Sequence, residues 1–437
     1  MTEPKPVVMP EEFPDKLRDS LVLIGGAVLV GVLTGLVGVA FLRLLELGND
    51  WRIELTAALR GWPAGTGLTV LALGTGACAA IAAWLVKRFS PNAVGSGIPY
   101  VEKILRGPGE PNHAWVLPVK FFGGFLALSA GLVLGREGPL VQIGAVIGER
   151  VGRLFKKVEN VWKPLMAAGA GAGVATAFNA PVGGTLFILE EVLRKVTPIG
   201  FVLAAAAAIS SAFIQRGVFG MGMDFRVADV AAGPVANLWI YLVFGMALGG
   251  LGAFYNRLLL GLASSRNPLQ KISSPIRAFG IGAVVGLVAW FLPNDAGGGD
   301  PLTQQVLQGY GSIGLLLTIA LARFFLGPLS YAAGTPGGLF APVVALGALL
   351  GAAAGLGLHE ISPQVVPSPL AFAVAGMAAF FTASIRAPLT GIVICLEMTG
   401  CFELFLPMLA ACAGSYLAAT LLRSEPIYDA LAKPVSS

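Results

Sequence analysis

What this sequence lacks is charge. Asp, Glu, Lys and Arg together make up 12% of its 437 residues, against ~25% in ordinary soluble domains. A chain this long and this poor in charge cannot face water on every side, so most of its outer surface faces lipid. Histidine is scarcer still, with only His113 and His359. Metal centres and catalytic triads built on histidine therefore lack their parts. The cysteines Cys78, Cys395, Cys401 and Cys412 lie in or beside apolar segments, with neither metal-ligand spacing nor a pattern that suggests a disulfide framework. No Gly-x-Ser-x-Gly elbow surrounds Ser96, and no phosphate-binding loop is present. An intramembrane hydrolase would have no base to pair with that serine. No metal and no cofactor are expected, and the chain is not expected to be an enzyme.

What is there is apolar. Hydrophobic residues make up 56% and mean hydropathy is +0.79. Glycine supplies 59 residues, about twice its usual ~7% share, which lets helices pack closely or lets backbone leave helical geometry at membrane depth. The net charge of +5 does not make a nucleic-acid surface, because Lys and Arg sit in short clusters between apolar runs. Such clusters read as cytoplasmic loops.

The first 18 residues are polar and carry Pro4, Pro6, Pro10 and Pro14; residues 1–19 are read as a cytoplasmic segment. The apolar run that follows, Ser20–Gly48, is too long for a cleavable signal and lacks a small-residue cleavage site. It exceeds the ~30 Å hydrocarbon core at ~1.5 Å per residue, so a strongly tilted helix is expected. Asn49–Gly65 mixes charges of both signs and reads as a connection to a second span, Gly67–Val86. Lys16, Arg18, Lys87 and Arg88 place both ends of this pair in the cytoplasm. Beyond Pro91 the apolar stretches shorten, as in Val116–Leu134, Leu140–Ile147, Met166–Ala177 and Val182–Leu189, each broken by Gly or Pro. Broken helices in a membrane mark transporter substrate sites.

The breaks recur in order. Gly95, Gly97 and Pro99 match Gly297, Gly299 and Pro301. Gly135, Pro139, Gly144 and Gly148 match Gly338, Pro342, Gly347 and Gly351. Ala180, Pro181, Gly184, Leu189 and Glu190 match Ala387, Pro388, Gly391, Leu396 and Glu397. Charge orients the repeat. Glu149–Lys163 carries Arg150, Arg153, Lys156, Lys157 and Lys163, whereas its counterpart Ala352–Pro367 has no Lys or Arg. Equivalent loops of opposite basic content belong on opposite sides of the membrane. The expectation is an all-α polytopic membrane protein of two inverted-topology repeats, residues 20–215 and 216–431, with many broken, tilted helices and a site at the midplane between them. Residues 432–437 are read as a short tail with no cytoplasmic regulatory domain after it.

Three motifs carry chemistry: Gly95-Ser96-Gly97-Ile98-Pro99, Gly135-Arg136-Glu137-Gly138-Pro139 and Gly337-Gly338-Leu339-Phe340-Ala341-Pro342. Each puts Gly before a helix start and Pro at an expected first helical position, where a missing N–H costs nothing. Each aims free N–H groups and the positive dipole end at a common point, which makes an anion site without a buried cation. One such motif alone would signify only close packing. Glu137 stands between two glycines beside that site, where a carboxylate is expensive and functional by default. Held by helix-start N–H groups it occupies the place of an anion, and protonation releases it; the plain alternative is a salt bridge with Arg136. Glu190 and Glu397 share a place at helix ends and so suggest a shared structural role. Glu191, whose counterpart is Met398, carries a charge peculiar to one half. Its plain reading is a solvated partner of Arg194 or Lys195.

These motifs resemble the signature sequences of the CLC chloride channels and transporters, over about Ser20–Leu431, with the Ala-Pro helices and Pro426-Ile427-Tyr428 included. The resemblance implies a homodimer in the inner membrane, with one chloride pathway per subunit. It implies chloride binding by Ser96, Tyr428 and the backbone N–H groups of Gly138, Leu339 and Phe340. Glu137 is similar to the family's gate and external proton-transfer residue, and Glu191 to the internal proton-transfer glutamate of its antiporters. Read alone, Ser96 is also a helix cap and Tyr428 an interfacial aromatic. Nitrate-preferring relatives carry proline at the Ser96 position, and the intact Gly-Ser-Gly-Ile-Pro differs from the fluoride branch. Exchange of chloride for protons is expected, with an uncoupled channel as the alternative; the partners are chloride, protons and the bilayer, with no nucleic acid.

Overall fold

The computed structural model describes residues 17–63, 65–107, 114–155, 161–228, 230–293 and 296–433. Residues 1–16, the loop lysines Lys156 and Lys157, His113 and the last four residues lie outside the described residues. Among the described residues every regular element is helical, and eight helices are long and apolar enough to cross a membrane. The chain is a multi-pass membrane protein.

The first helix, α1 (Leu17–Leu59), has 43 residues and is therefore ~65 Å long, twice the hydrocarbon core. It does not stop at Gly48, as its mixed charges suggested. Arg52 points inward and is 4% exposed. Its guanidinium donates to the Pro293 carbonyl at 2.9 Å and to Asn49 Oδ1 at 2.6 Å. With the Arg52 charge satisfied inside the protein, the segment has no need to reach water and stays helical. α2 (Thr66–Phe89) packs along α9 (Ser274–Phe291), where Thr75 Oγ1 donates to the Gly282 carbonyl at 2.9 Å.

Between them run α3 (Ile98–Arg106), α4 (Glu137–Leu154), α5 (Trp162–Phe178), α6 (Pro181–Phe187), α7 (Pro198–Phe219) and α8 (Leu238–Ala263). After α9 come α10 (Asp300–Leu307), α11 (Ile313–Ala332), α12 (Phe340–Ile361), α13 (Pro369–Ile385), α14 (Pro388–Thr399), α15 (Phe405–Leu421) and α16 (Ile427–Ala432). Two helical segments contain a π turn, at Val119–Gly123 and Ile188–Val192, a distortion common at functional sites. The first turns Lys120 inward and the second carries Glu190 and Glu191.

Packing repeats as the sequence does. α4 crosses α5 where Gly144 meets Gly169, and α12 crosses α13 where Gly347 meets Gly376. At each crossing the backbones touch, because a Cβ on any of these glycines would run into the carbonyl of its partner. The helices at the crossing are buried on all sides, so no polar face distinguishes them and shape alone sets the register.

That geometry predicts a sharp positional contrast. Gly144→Ala should lower stability by about 1–3 kcal/mol through overpacking. Gly25→Ala on α1, where nothing lies within 4 Å of the added Cβ, should be neutral or slightly stabilising. Thermal unfolding of both variants in detergent measures the difference, and equal melting temperatures would contradict the packing argument.

Candidate anion and proton site

Three glycine-rich loops are joined through their backbones. Gly135 N donates to the Gly338 carbonyl at 2.8 Å and Gly338 N returns a bond to the Gly135 carbonyl at 2.7 Å. Gly95 N donates to the Thr335 carbonyl at 3.1 Å, and Gly337 N to the Gly95 carbonyl at 3.0 Å. Lys120, fully buried, donates from Nζ to that same Gly95 carbonyl at 2.6 Å. Gly95 and Gly97 have φ of 60° and 77°, values that disfavour any residue with a Cβ. A Cβ at Gly138 would lie 2.8 Å from the Cα atoms of both Gly338 and Ser96. The starts of α3, α4 and α12 therefore meet at one point. Pro99 lies within the first two positions of its helix, but Pro139 and Pro342 are third, because α4 begins at Glu137 and α12 at Phe340. A proline still costs little there, since first-turn N–H groups have no intrahelical partner.

Glu137 fills the junction. Its side chain is 1% exposed, and Oε1 accepts the Phe340 N–H at 2.6 Å. Oε2 has no hydrogen-bond partner among the described residues. Arg136 turns away, to Asp224 at 3.4 Å and Asp300 at 3.8 Å, so the salt bridge with Glu137 is not formed. The Phe340 ring packs at a tilt between Phe178 and Phe381, with centroids 4.4 and 4.2 Å away, and fixes the N–H that the carboxylate uses.

Ser96 and Tyr428 are both fully buried. Ser96 Oγ accepts the Ile98 N–H at 3.3 Å, one residue ahead of Gly97, which is the N-cap of α3. A hydroxyl that accepts through a lone pair still has its own proton to donate, so this bond and anion binding are compatible. The Tyr428 hydroxyl has no partner among the described residues, which argues against an interfacial position. The phenol of Tyr331, absent from the sequence reading, stands in hydrogen-bonding reach of Ser96. Gly138 and Leu339 sit in the same junction as Phe340, as the backbone contacts require. Two cavities with no lining residue in common reach this junction. One of about 370 Å³ is lined by Arg136, Asp224 and Asp300, and one of about 340 Å³ by Gly95, Gly97 and Tyr331.

The paired glutamates separate by role. Glu190 accepts from Leu389 N at 3.1 Å and Thr390 N at 2.7 Å, at the start of α14. Glu397 accepts from Val182 N at 3.1 Å and Gly183 N at 2.7 Å, at the start of α6. Each caps the helix that belongs to the other. Glu191 instead points inward and is 2% exposed. It faces Arg194 at 3.6 Å, but as a buried group rather than a solvated one. Beside it lies Glu102, also 2% exposed, with neither carboxyl oxygen hydrogen-bonded among the described residues. Sequence reasoning missed Glu102, although an acidic residue on the apolar side of a short helix was a signal available in Val101-Glu102-Lys103. Among the described residues no group of three or more His, Cys, Asp and Glu is arranged to hold a metal ion.

The sequence model of the voltage-gated chloride channel family matches residues 78–420. The chain belongs to the CLC family. It is 40% identical over 412 residues to the H(+)/Cl(-) exchange transporter ClcA of Cronobacter sakazakii, covering 93% of this chain and 88% of that one. With ClcA of Citrobacter koseri the identity is 38% over 429 residues, covering 95% and 89%. The fold matches the crystal structure of a slow cyanobacterial Cl-/H+ antiporter with a TM-score of 0.89 and 31% identity, over 94% of this chain and 97% of that one. A eukaryotic CLC transporter shares the fold at a TM-score of 0.81 and 24% identity, over 95% of this chain and 74% of that one.

The reciprocal caps predict a purely structural loss. Glu190→Gln or Glu397→Gln in this CLC protein should cost about 1–2 kcal/mol, the worth of a charge-assisted cap in a partly buried setting. The melting temperature should fall while any ion stoichiometry stays fixed. A changed stoichiometry with an unchanged melting temperature would contradict the assignment.

Proposed function

We propose that this CLC protein exchanges chloride for protons across the inner membrane. The observation that carries the reading is the Glu137 carboxylate, an anion bound by the Phe340 N–H at 2.6 Å where three helix starts meet. A carboxylate and a chloride compete for the same donors, so one negative charge occupies the junction at a time. Protonation removes the carboxylate's claim on those N–H groups, and chloride takes its place. Loss of the proton to the other side drives the carboxylate back and expels the ion. The helix starts supply partial charges only, so binding stays weak enough for release. The relatives named as H(+)/Cl(-) exchangers support coupling over an uncoupled channel.

In this scheme chloride is held by Ser96, Tyr428 and the N–H groups of Gly138, Leu339 and Phe340. Glu137 gates and transfers protons on the outer side. Glu191 receives them on the inner side, where its burial beside Glu102 favours a neutral, proton-bearing carboxyl. The inverted halves, residues 20–215 and 216–431, place this site between them, and a homodimer carries one such pathway in each subunit.

Purified protein in liposomes under a chloride gradient, followed with pH and chloride electrodes, tests the reading. The wild type should pump protons; chloride flux without protons would indicate the channel. Glu137→Gln imitates the protonated gate, so proton movement should vanish and chloride flux should lose its pH dependence. Glu191→Gln should stop protons but leave Glu137 titrating. Its chloride flux should still fall as external pH rises, because deprotonated Glu137 re-enters the junction. Retained pumping in Glu191→Gln would remove the inner route. Ser96→Pro deletes a hydroxyl donor suited to a small, strongly hydrated ion. Preference should therefore move from chloride toward nitrate in competition assays, and unchanged relative affinities would remove Ser96 from the site.

A further inference from the structure

The helix that carries Tyr428 is tied to the inner proton site through one aspartate. Asp429, the residue after Tyr428, accepts an ion pair from Arg194 Nη2 at 2.7 Å on Oδ2 and from Arg106 Nη1 at 3.4 Å on Oδ1. The same Arg194 Nη2 lies 3.6 Å from Glu191 Oε1. Arg106 donates in addition to the carbonyls of Glu191 and, at 2.8 Å, Val192, and its Nη2 lies 3.9 Å from Glu102 Oε1. One guanidinium thus stands between the proposed proton carrier and the helix of the anion ligand. A second joins that helix to the end of α3, whose first residue follows the Ser96-Gly97 loop. Arg194 holds this place with a φ of 52°. Left-handed backbone in a residue with a side chain costs energy, and it persists only where the surroundings impose it.

We infer that Asp429 is a positioning residue that couples the proton state of Glu191 to the closure of Tyr428 over the anion, through their shared partner Arg194. This rests on the exchange reading above. The charged groups facing Glu191 are Glu102 and Arg106 from α3, Arg194 from its own loop and Asp429 from α16. With Glu191 ionised, Arg194 Nη2 is divided between two carboxylates, and the hold on α16 is weaker. When Glu191 takes a proton, Arg194 is left to Asp429, and α16 is drawn tight with Tyr428 against the junction. The inner end of the chloride path is then closed while a proton is aboard. That order prevents the ion and the proton from leaving together on one side.

The test is the proton-to-chloride ratio of Asp429→Asn in liposomes, beside Asp429→Glu and Arg194→Gln. Asp429→Asn should lower the ratio several-fold without lowering chloride flux. Asp429→Glu should restore part of the ratio. Arg194→Gln, which leaves the Asp429 carboxylate in place, should lower it as well and serves if Asp429→Asn does not fold. In a Glu191→Gln background, Asp429→Asn should leave the pH profile of chloride flux where Glu191→Gln alone put it. A wild-type ratio in Asp429→Asn or in Arg194→Gln would overturn the link, as would a further shift of that profile. Wild-type protein that moves chloride without protons would instead overturn the exchange reading, so the two failures are distinct.

Discussion

Everything at the centre of this protein depends on backbone hydrogen bonds between loops that have almost no side chains. The paired bonds of Gly135 with Gly338, and those of Gly95 with Thr335 and Gly337, hold three helix starts against one another. A Cβ at Gly338 would collide with the Glu137 carboxyl, and one at Gly138 with two other loops. Glycine is needed there for approach, and once the approach is made the unpaired N–H groups of the helix starts must find an acceptor. A carboxylate or a halide serves equally. The Glu137 carboxyl meets the junction's shortage of acceptors, and because the donors belong to the backbone, chloride takes the same place in the exchange reading.

The repeat supplies the frame and then departs from it. Glu190 and Glu397 are interchangeable by position and by bonding, each capping the other's helix. Met398 stands where Glu191 would be matched, and Met398 is simply buried. The matched glutamates thus tie α6 to α14, and the unmatched one is left without a cap to satisfy. Such a group is costly to bury as an ion, which is the reason to assign it chemistry and to assign its neighbour structure.

The motifs were legible because glycine and proline act locally: their effect on backbone can be read without knowing what lies opposite. The convergence of Ser96, Glu137 and Phe340 followed from three such signals in one chain, and Tyr428 from resemblance to a family. Long-range satisfaction was not legible. Arg52 looked like a loop charge because its acceptor, the Pro293 carbonyl, lies 241 residues away. Asp429 sits in a short segment whose partners, Arg106 and Arg194, come from other parts of the chain, and Glu102 meets Glu191 and Arg194 from far along the sequence. The apolar crossings at Gly144 and Gly347 carry no periodicity, since helices buried on all sides have no face to mark. In a membrane protein the pattern that usually distinguishes inside from outside is missing, and glycine spacing replaces it.

Two charge clusters flank the junction, one around Arg136 and one around Arg194, and their arrangements differ. On one side Arg136 is held between Asp224 and Asp300 and is kept from Glu137. Were it free to pair with Glu137, the carboxylate would be fixed as an ion and could not yield its place. On the other side Arg194 is shared between Glu191 and Asp429 rather than committed to one. A committed cation would fix Glu191 as an ion too, while an absent one would leave Glu191 and the half-buried Asp429 to repel each other. Sharing avoids both. The same physical demand, that a buried carboxyl be able to change its charge, is met on one side by removing the cation and on the other by dividing it.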